Sequence, residues 1–257
     1  MSLLELKQIS KEFGGLKALH KVSLAIQRGE VVGLVGPNGA GKTTLFNVVS
    51  GFYRPSGGKI IFKEEDVSHL KPYQLVKKGL TKTFQATNLF HEFSVAQNIA
   101  FGCQIRGNLR ISEEVLGFFS AKEKKRQIDQ KVDKILDLMD LNSVKDELAR
   151  NLPHGYQRSL GVAVALATDP ELLLLDEPFC GMNAQETNTM MAQLREINKE
   201  KRLTVLLVEH DMRAVMEFCD RIIVLNFGVK IAEGTPEKIQ KDPAVIEVYL
   251  GAYEDVA

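Results

Sequence analysis

The chain has 257 residues, and its 33 lysines and arginines are balanced by 33 aspartates and glutamates. That length suffices for one large α/β domain, or for a core carrying an inserted subdomain, while zero net charge supplies no global basic field to hold nucleic acid. Cys103, Cys180 and Cys219 lack C-x-x-C spacing, which argues against a zinc site or disulfide framework and for a reducing cytosol; no signal-like core opens the chain and no apolar run approaches the ~18 residues of a membrane span, so it is not expected to be a pore.

In chain order, Leu3 to Ile9 and Val22 to Ile26 alternate apolar and polar residues on either side of the turn-like Phe13, Gly14 and Gly15, predicting two antiparallel strands. The apolar run Val31 to Val35 predicts a third strand. It leads into Gly36, Pro37, Asn38, Gly39, Ala40, Gly41, Lys42 and Thr43, which fit G-x-x-x-x-G-K-[ST], and Thr44 continues into a helix expected to end near Ser50. A backbone wrapped this tightly points successive N–H groups at phosphate oxygens, and a Cβ at Gly39 or Gly41 is expected to obstruct it. The helix turns its positive end to the same phosphates. Lys42 supplies a cation for β- and γ-phosphates, and the Thr43 hydroxyl is placed to ligate the accompanying magnesium. A nucleoside triphosphate is therefore the expected ligand, although the loop alone does not separate kinases, GTPases, motors and transport ATPases.

Beyond a turn at Arg54 to Gly58, Lys59 to Phe62 and the shorter Thr81 to Gln85 are strand candidates. From Ser94, a plausible N-cap, to about Leu148 the pattern becomes helical, with Ile128, Val132, Ile135, Leu136 and Met139 spaced as one face. Within it the charged run Ala121 to Arg126 reads as a solvated helix surface. The second half alternates strands at Glu171 to Leu175, Leu203 to Val208 and Arg221 to Leu225 with helices at Ala184 to Lys199 and Met212 to Cys219, the pattern of a parallel sheet with crossovers. Its near-continuous apolar strands suit a sheet buried on both faces. The expected architecture is a single α/β domain: a mixed, mainly parallel core sheet, an antiparallel N-terminal β-subdomain, and a helical subdomain at about 94–169 inserted between core portions at about 1–93 and 170–257.

Two strand ends carry further chemistry. The run Leu172 to Leu175 ends in Asp176, Glu177 and Pro178, at the sheet edge where α/β proteins bind ligands. Asp176 suits a magnesium-side role, and Glu177 can orient or deprotonate an attacking water. Thr204 to Val208 ends in Glu209, His210 and Asp211, and His210 can donate a hydrogen bond to a γ-phosphate. Taken alone, two acids in a turn or one histidine at a strand end are ordinary surface features; their place downstream of a phosphate loop gives them weight.

These residues, in this order, resemble the ATP-binding-cassette (ABC) ATPases over essentially the whole chain. The resemblance implies a P-loop NTPase of the ABC type that hydrolyses ATP with Mg2+. Gly36 to Thr43 look like its Walker A loop, Gln85 like its Q-loop and a further magnesium ligand, Asp176 and Glu177 like its Walker B and catalytic glutamate, and His210 like its switch histidine. Phe13 stands where the family stacks an aromatic ring on adenine, the alternative being strand packing, and Cys180 to Asn183 match the D-loop. Within the family the likeness is greatest to the ATPase subunit of branched-chain amino-acid importers, through Phe13 to Leu16, Gly51 to Pro55, Thr83 to Gln85, Asn88 to Phe90, Glu209 to Met212, Gly234 to Glu237, Tyr249 to Gly251 and the stretch from about Ile105 to Arg126. This implies a peripheral protein on the inner face of the cell membrane. Its partners would be transmembrane permeases, a second ABC ATPase or another copy of itself, indirectly a periplasmic solute-binding protein, and no nucleic acid. Alternatives are a related transporter for urea or amide import or lipopolysaccharide export, a cassette of DNA repair or translation, and a regulatory module that binds without hydrolysing. Coiled coils, zinc-binding cysteines and tandem cassettes are missing for the repair or translation reading, and no N-K-x-D motif supports a GTPase.

One segment departs from the family pattern. Where relatives carry a signature near L-S-G-G-Q, this chain has Leu152, Pro153, His154, Gly155 and Tyr156. Pro153 removes the serine hydroxyl and one backbone donor, while Gly155 and the helix N-terminal amides remain. In the family this segment faces ATP held by the opposite subunit. A partner with an intact signature would then leave normal turnover at this chain's Lys42 and Glu177 and slow turnover on itself.

Overall fold

The computed structural model describes residues 2–83, 89–105 and 121–254. Strands β1 (Ser2–Phe13) and β2 (Leu16–Gln27) form an antiparallel hairpin, reversed at Gly14, where φ is 57°. Both run longer than the alternation predicts. Register shifts between Leu6 and Ile9 and between Ile9 and Lys11, with Gln8 at φ 52° and Lys21 at φ 49°, break the two-residue period without ending the ladder. Strand β4 (Gly57–Phe62) adds to β1, and β5 (Glu65–Asp66) to β4, giving a four-stranded sheet in the order β2-β1-β4-β5.

The second sheet holds β3 (Val31–Val35), β6 (Leu80–Lys82), β7 (Leu172–Asp176), β8 (Thr204–Val208), β9 (Arg221–Asn226) and β10 (Val229–Gly234), in the order β10-β9-β3-β8-β7-β6. All neighbours pair in parallel except β10 with β9. Both faces are covered, as the continuous apolar strands require. Val31, Val35, Leu173, Leu175, Val205 and Leu207 point into a core shared with the long helices, whereas Val32, Leu34, Leu172, Leu174, Leu206 and Val208 point into a core shared with β1, β2 and the helix after β3. Alternate residues of each strand serve opposite layers.

That helix is α1 (Lys42–Val49); α2 (Pro72–Lys78) precedes β6. Helices α3 (Val95–Ile105), α4 (Ala121–Leu138) and α5 (His154–Leu166) pack together through Ile99, Val132, Ile135, Leu136 and Leu160. Ser94 caps α3: its Oγ accepts the Gln97 N–H at 3.2 Å, and Gln97 Oε1 accepts the Ser94 N–H at 2.8 Å. Lys124, Lys125 and Arg126 are exposed, as a solvated face requires. Between α4 and α5 the chain makes two short 3-10 turns, Asn142–Val144 and Ala149–Asn151. Helices α6 (Ala184–Lys201), α7 (Met212–Phe218), α8 (Pro236–Gln240) and α9 (Pro243–Glu254) complete the chain. Among the described residues no helix is long and apolar enough to cross a membrane.

Parallel register decides where the candidate residues meet. Val208 is opposite both Leu34 and Asp176, and Lys82 is opposite Leu174, so the loops leaving β3, β6, β7 and β8 emerge from one edge of the sheet. The chain first passes from β3 outward to β6 and later crosses to β9 on the other side, which makes β3 the switch point where open α/β sheets bind ligands.

Candidate active site

The loop after β3 curls back on itself: the Ala40 N–H donates to Pro37 O at 3.1 Å, and the Leu45 N–H to Gly41 O at 2.9 Å. Gly41 is the N-cap of α1 at φ 97° and brings no side-chain acceptor, so the first amides of the helix face the loop. A Cβ at Gly41 would sit 2.7 Å from the carbonyl oxygen of Ala18 in β2. Gly39, at φ 78°, has nothing within 4 Å of an added Cβ. Within the chain itself the two glycines therefore answer to different constraints: left-handed backbone at Gly39, and left-handed backbone plus contact with β2 at Gly41. Ala40 is buried, whereas Asn38 and Gly39 are exposed and Pro37 and Thr44 half-buried. From the other side the Gly228 N–H, in the β9–β10 turn, donates to Ala40 O at 3.0 Å.

Lys42 folds over this loop, its Nζ donating to Gly36 O at 2.6 Å and Pro37 O at 3.0 Å. Burial pulls its pKa down, and the nearby Glu177 carboxylate opposes that shift. Thr43 and Asp176 line one cleft of about 500 Å³ with Asn47, Phe52, Val76 and Lys82. A hydroxyl and a carboxylate at one cleft are hard oxygen donors, the set that suits magnesium carried in on phosphates. No cluster of three or more His, Cys, Asp or Glu able to hold a metal alone occurs among the described residues. The Asp176 carboxylate is paired with Lys82 Nζ at 2.9 Å, and Lys82 also donates to Asn47 Oδ1 at 3.1 Å. Sequence reasoning passed over Lys82, because nothing in a three-residue strand marks its partner.

Glu177 has φ 48°, a left-handed conformation uncommon for a residue with a Cβ, and its N–H donates to Val208 O at 2.9 Å. Strain of this kind persists where surrounding structure enforces it, often at functional sites. Glu177 Oε1 lies 3.9 Å from His210 Nδ1. Lys42, Glu177 and His210, scattered over the sequence, thus converge on one edge of the sheet. Beneath them is a residue not singled out for chemistry: Glu209, 2% exposed, accepts the Phe179 N–H at 2.9 Å and the His210 N–H at 3.1 Å. Burial raises the pKa of its carboxyl, partly offset by those amide donors.

Phe13 ends β1, 42% exposed, with its ring edge-on to Tyr53 at 5.2 Å and Lys11 Nζ 4.8 Å from its centroid. Gln85 lies outside the described residues, as does most of the stretch from Ile105 to Arg126. The signature-like segment forms a second cluster. Pro153 is the N-cap of α5 at φ −53° and ψ 153°, without a side-chain hydrogen bond, and Pro153 O accepts the Gln157 N–H at 3.1 Å. Leu152 is buried, His154 and Tyr156 are exposed, and Gly155 packs so tightly that a Cβ would lie 2.7 Å from Glu186 Oε1. Glu186 in turn accepts the Asn183 N–H at 2.8 Å, while Asn183 Oδ1 caps α6 by accepting the Gln185 and Glu186 N–H groups. A Cβ on Gly181 would meet the His154 ring at 2.8 Å. The segment Cys180 to Asn183, the start of α6 and the start of α5 are therefore one packed unit. Another unforeseen neighbour comes from α9: the Tyr249 hydroxyl is 3.8 Å from Met212 Sδ and receives the Gly36 N–H, while burial raises its pKa.

A family model described as ABC transporter matches residues 19–180. The chain belongs to this ABC transporter family. A second model, described as Branched-chain amino acid ATP-binding cassette transporter, matches residues 229–255 of this cassette. The cassette is similar to the High-affinity branched-chain amino acid transport ATP-binding protein LivG of Salmonella typhimurium, with 39% identity over 97% of this chain and 98% of LivG. Among solved structures, a nucleotide-free ATP-binding cassette from an ABC transporter has a TM-score of 0.84 and 30% identity, covering 97% of this chain and 99% of that one. Another cassette, solved as a dimer in a post-hydrolysis state with ADP and Pi, has a TM-score of 0.77 and 25% identity, covering 91% and 98%. The fold, the ATP-binding-cassette assignment and ATPase activity expected from the sequence accord with these relatives.

Proposed function

We propose that this ATPase drives import of branched-chain or other hydrophobic amino acids from the cytoplasmic face of a membrane. The carrying observation for hydrolysis is the convergence of Lys42, strained Glu177 and His210 at the edge of β3, β7 and β8. ATP sits with its phosphates on the Gly36 to Thr43 amides and Lys42, and its adenine against Phe13. Thr43, Asp176 and Gln85 would hold magnesium, which would supply positive charge to the phosphate oxygens. Glu177 orients a water and accepts its proton as the water oxygen bonds to the γ-phosphorus; the bond from that phosphorus to the β–γ bridging oxygen breaks, and ADP leaves with the electron pair. His210 donates a hydrogen bond to the γ-phosphoryl oxygens.

Two cassettes act together in this reading, each completing the other's site with residues Leu152 to Tyr156. Because Pro153 brings no hydroxyl, a heterodimer whose partner carries an intact signature hydrolyses ATP faster at this chain's Lys42 and Glu177 than at the partner's site. The permeases dock near Gln85 and the helical subdomain; at the start of that subdomain an exposed aromatic group supports a protein contact, with Phe90 stacked on Phe93 at 5.2 Å and edge-on to Phe101 at 4.5 Å. Residues of about 94–169 form the helical subdomain that moves against the core. The amino-acid assignment rests on likeness to LivG and on the match at residues 229–255. Co-purification with two permeases and a second cassette, followed by ATP-dependent leucine uptake into proteoliposomes, tests it; uptake unaffected by Glu177→Gln in this chain would overturn it.

A further inference from the structure

The reaction as drawn needs Glu177 and His210 in one fixed relation, yet they stand on separate loops, after β7 and after β8. Neither side chain is immobilised by burial: Glu177 and His210 are 49% and 65% exposed, and 3.9 Å separates them. What joins the loops lies underneath. Glu209 is 2% exposed, and its two carboxylate oxygens are divided between them, Oε1 taking the Phe179 N–H at 2.9 Å and Oε2 the His210 N–H at 3.1 Å. Phe179 is two residues beyond Glu177, and its ring is locked edge-on against Phe218 of α7 at 6.0 Å. The backbone link from Glu177 N–H to Val208 O, at 2.9 Å, closes the same bracket from the strand side.

We infer that Glu209 is a positioning residue: its buried carboxylate pins the β7 and β8 loops together and so sets the relation of Glu177 to His210. A carboxylate is the chemistry this place requires. It offers two acceptor oxygens and no donor to a pair of amides that only donate. An amide side chain of the same size would accept from one loop and turn its NH2 against the N–H of the other. An unlinked buried acid without these partners would be costly in this position, so the bridge also accounts for a glutamate tolerated there. The catalytic consequence rests on the roles proposed for Glu177 and His210; the link between the loops does not.

Two measurements on the full-length protein separate those parts. In Glu209→Gln, residue-resolved hydrogen exchange at the Phe179 and His210 amides is expected to accelerate by about 10- to 100-fold at one or both, the range for a lost hydrogen bond to a charged group. In Glu209→Asp, one methylene shorter and still charged, His210 keeps its protection and Phe179, across the gap, loses it. Unchanged protection at Phe179 in both variants overturns the bracket. For catalysis, Glu209→Gln is expected to lower ATPase kcat about 10-fold or more with KM for ATP held within about threefold. His210→Ala added to it should cost several-fold less than in the wild type, because the geometry it exploits is already lost. Equal losses in the two backgrounds overturn the positioning role, whereas a silent His210→Ala in the wild type overturns the histidine's proposed role and leaves the exchange result to judge the bracket.

Discussion

Replacing Lys82 with methionine tests whether the metal-side carboxylate is held in check by a neighbouring cation. Methionine keeps most of the stem, which passes the rings of Phe46 and Phe52 with Nζ 5.7 and 5.9 Å from their centroids, and removes the charge. The pair it breaks is short, 2.9 Å between Lys82 Nζ and Asp176 Oδ2, and largely buried, at 17% and 9% side-chain exposure. At an effective dielectric of about 20 the Coulomb attraction at that separation is about 6 kcal/mol. Recovered desolvation of the lysine offsets part of it, and removing one partner of a buried pair costs about 3–5 kcal/mol; the remaining exposure of Lys82 places this case near 3. For a chain of this size that corresponds to a fall in Tm of roughly 6–12 °C, read by circular dichroism. In the magnesium role proposed for Asp176 the ion would compete with Lys82 for the same carboxylate, so half-saturating Mg2+ in an ATPase assay is expected to fall about 10-fold in Lys82→Met. A Tm within about 2 °C of wild type, or an unchanged magnesium dependence, would refute the argument.

Glu177→Gln should leave ATP binding intact and cut steady-state turnover by about 100-fold or more, the loss expected without a general base; wild-type turnover contradicts that role. Gly41→Ala meets the Ala18 carbonyl at 2.7 Å as well as an unfavourable φ, whereas Gly39→Ala meets only the φ. Denaturant unfolding is therefore expected to show a loss of about 3 kcal/mol for the first and about 1 kcal/mol for the second, and equal losses would mean that β2 contact is irrelevant. At the opposite edge of the sheet, burial raises the pKa of Glu171, but Lys63 and Arg28 outweigh it and hold the carboxyl below its ordinary value. A depressed carboxyl contributes stability above its unfolded pKa and loses it as pH falls through the folded value. Glu171→Gln should therefore cost about 1 kcal/mol at pH 7 and progressively less below about pH 4, and a pH-independent difference would exclude this linkage.

Much of the scaffold was readable because its signals are local. The phosphate loop needs glycines, a lysine and a threonine at fixed spacing, and the apolar runs of β3, β7 and β8 follow directly from burial on two faces. Where signals weaken, the reading shortened: β1 and β2 outrun their predicted ends because bulges at Leu6 to Lys11 break the alternation, and Thr81 to Gln85 reduces in the described residues to Leu80–Lys82. Helices α2 and α8 went unnoticed because they are short, and α9 went unnoticed as well. Glu209 was visible only as part of a phrase shared with relatives, and Lys82 and Tyr249 carried no local mark of a role.

The sequence alone determined that the chain binds a nucleoside triphosphate, since a backbone cradle for phosphates is built from consecutive residues and their spacing records it. It also named Asp176, Glu177 and His210, because each ends a recognisable buried strand. Only the tertiary structure decided that Lys82 pairs with Asp176, that Glu209 joins the Phe179 and His210 amides, that Gly155 rests on Glu186, and that Tyr249 reaches Met212 and the first glycine of the phosphate loop. These contacts bring together residues distant in the chain through parallel register and helix packing, and a carboxylate or hydroxyl acquires its role from the partner that register supplies rather than from its neighbours in sequence.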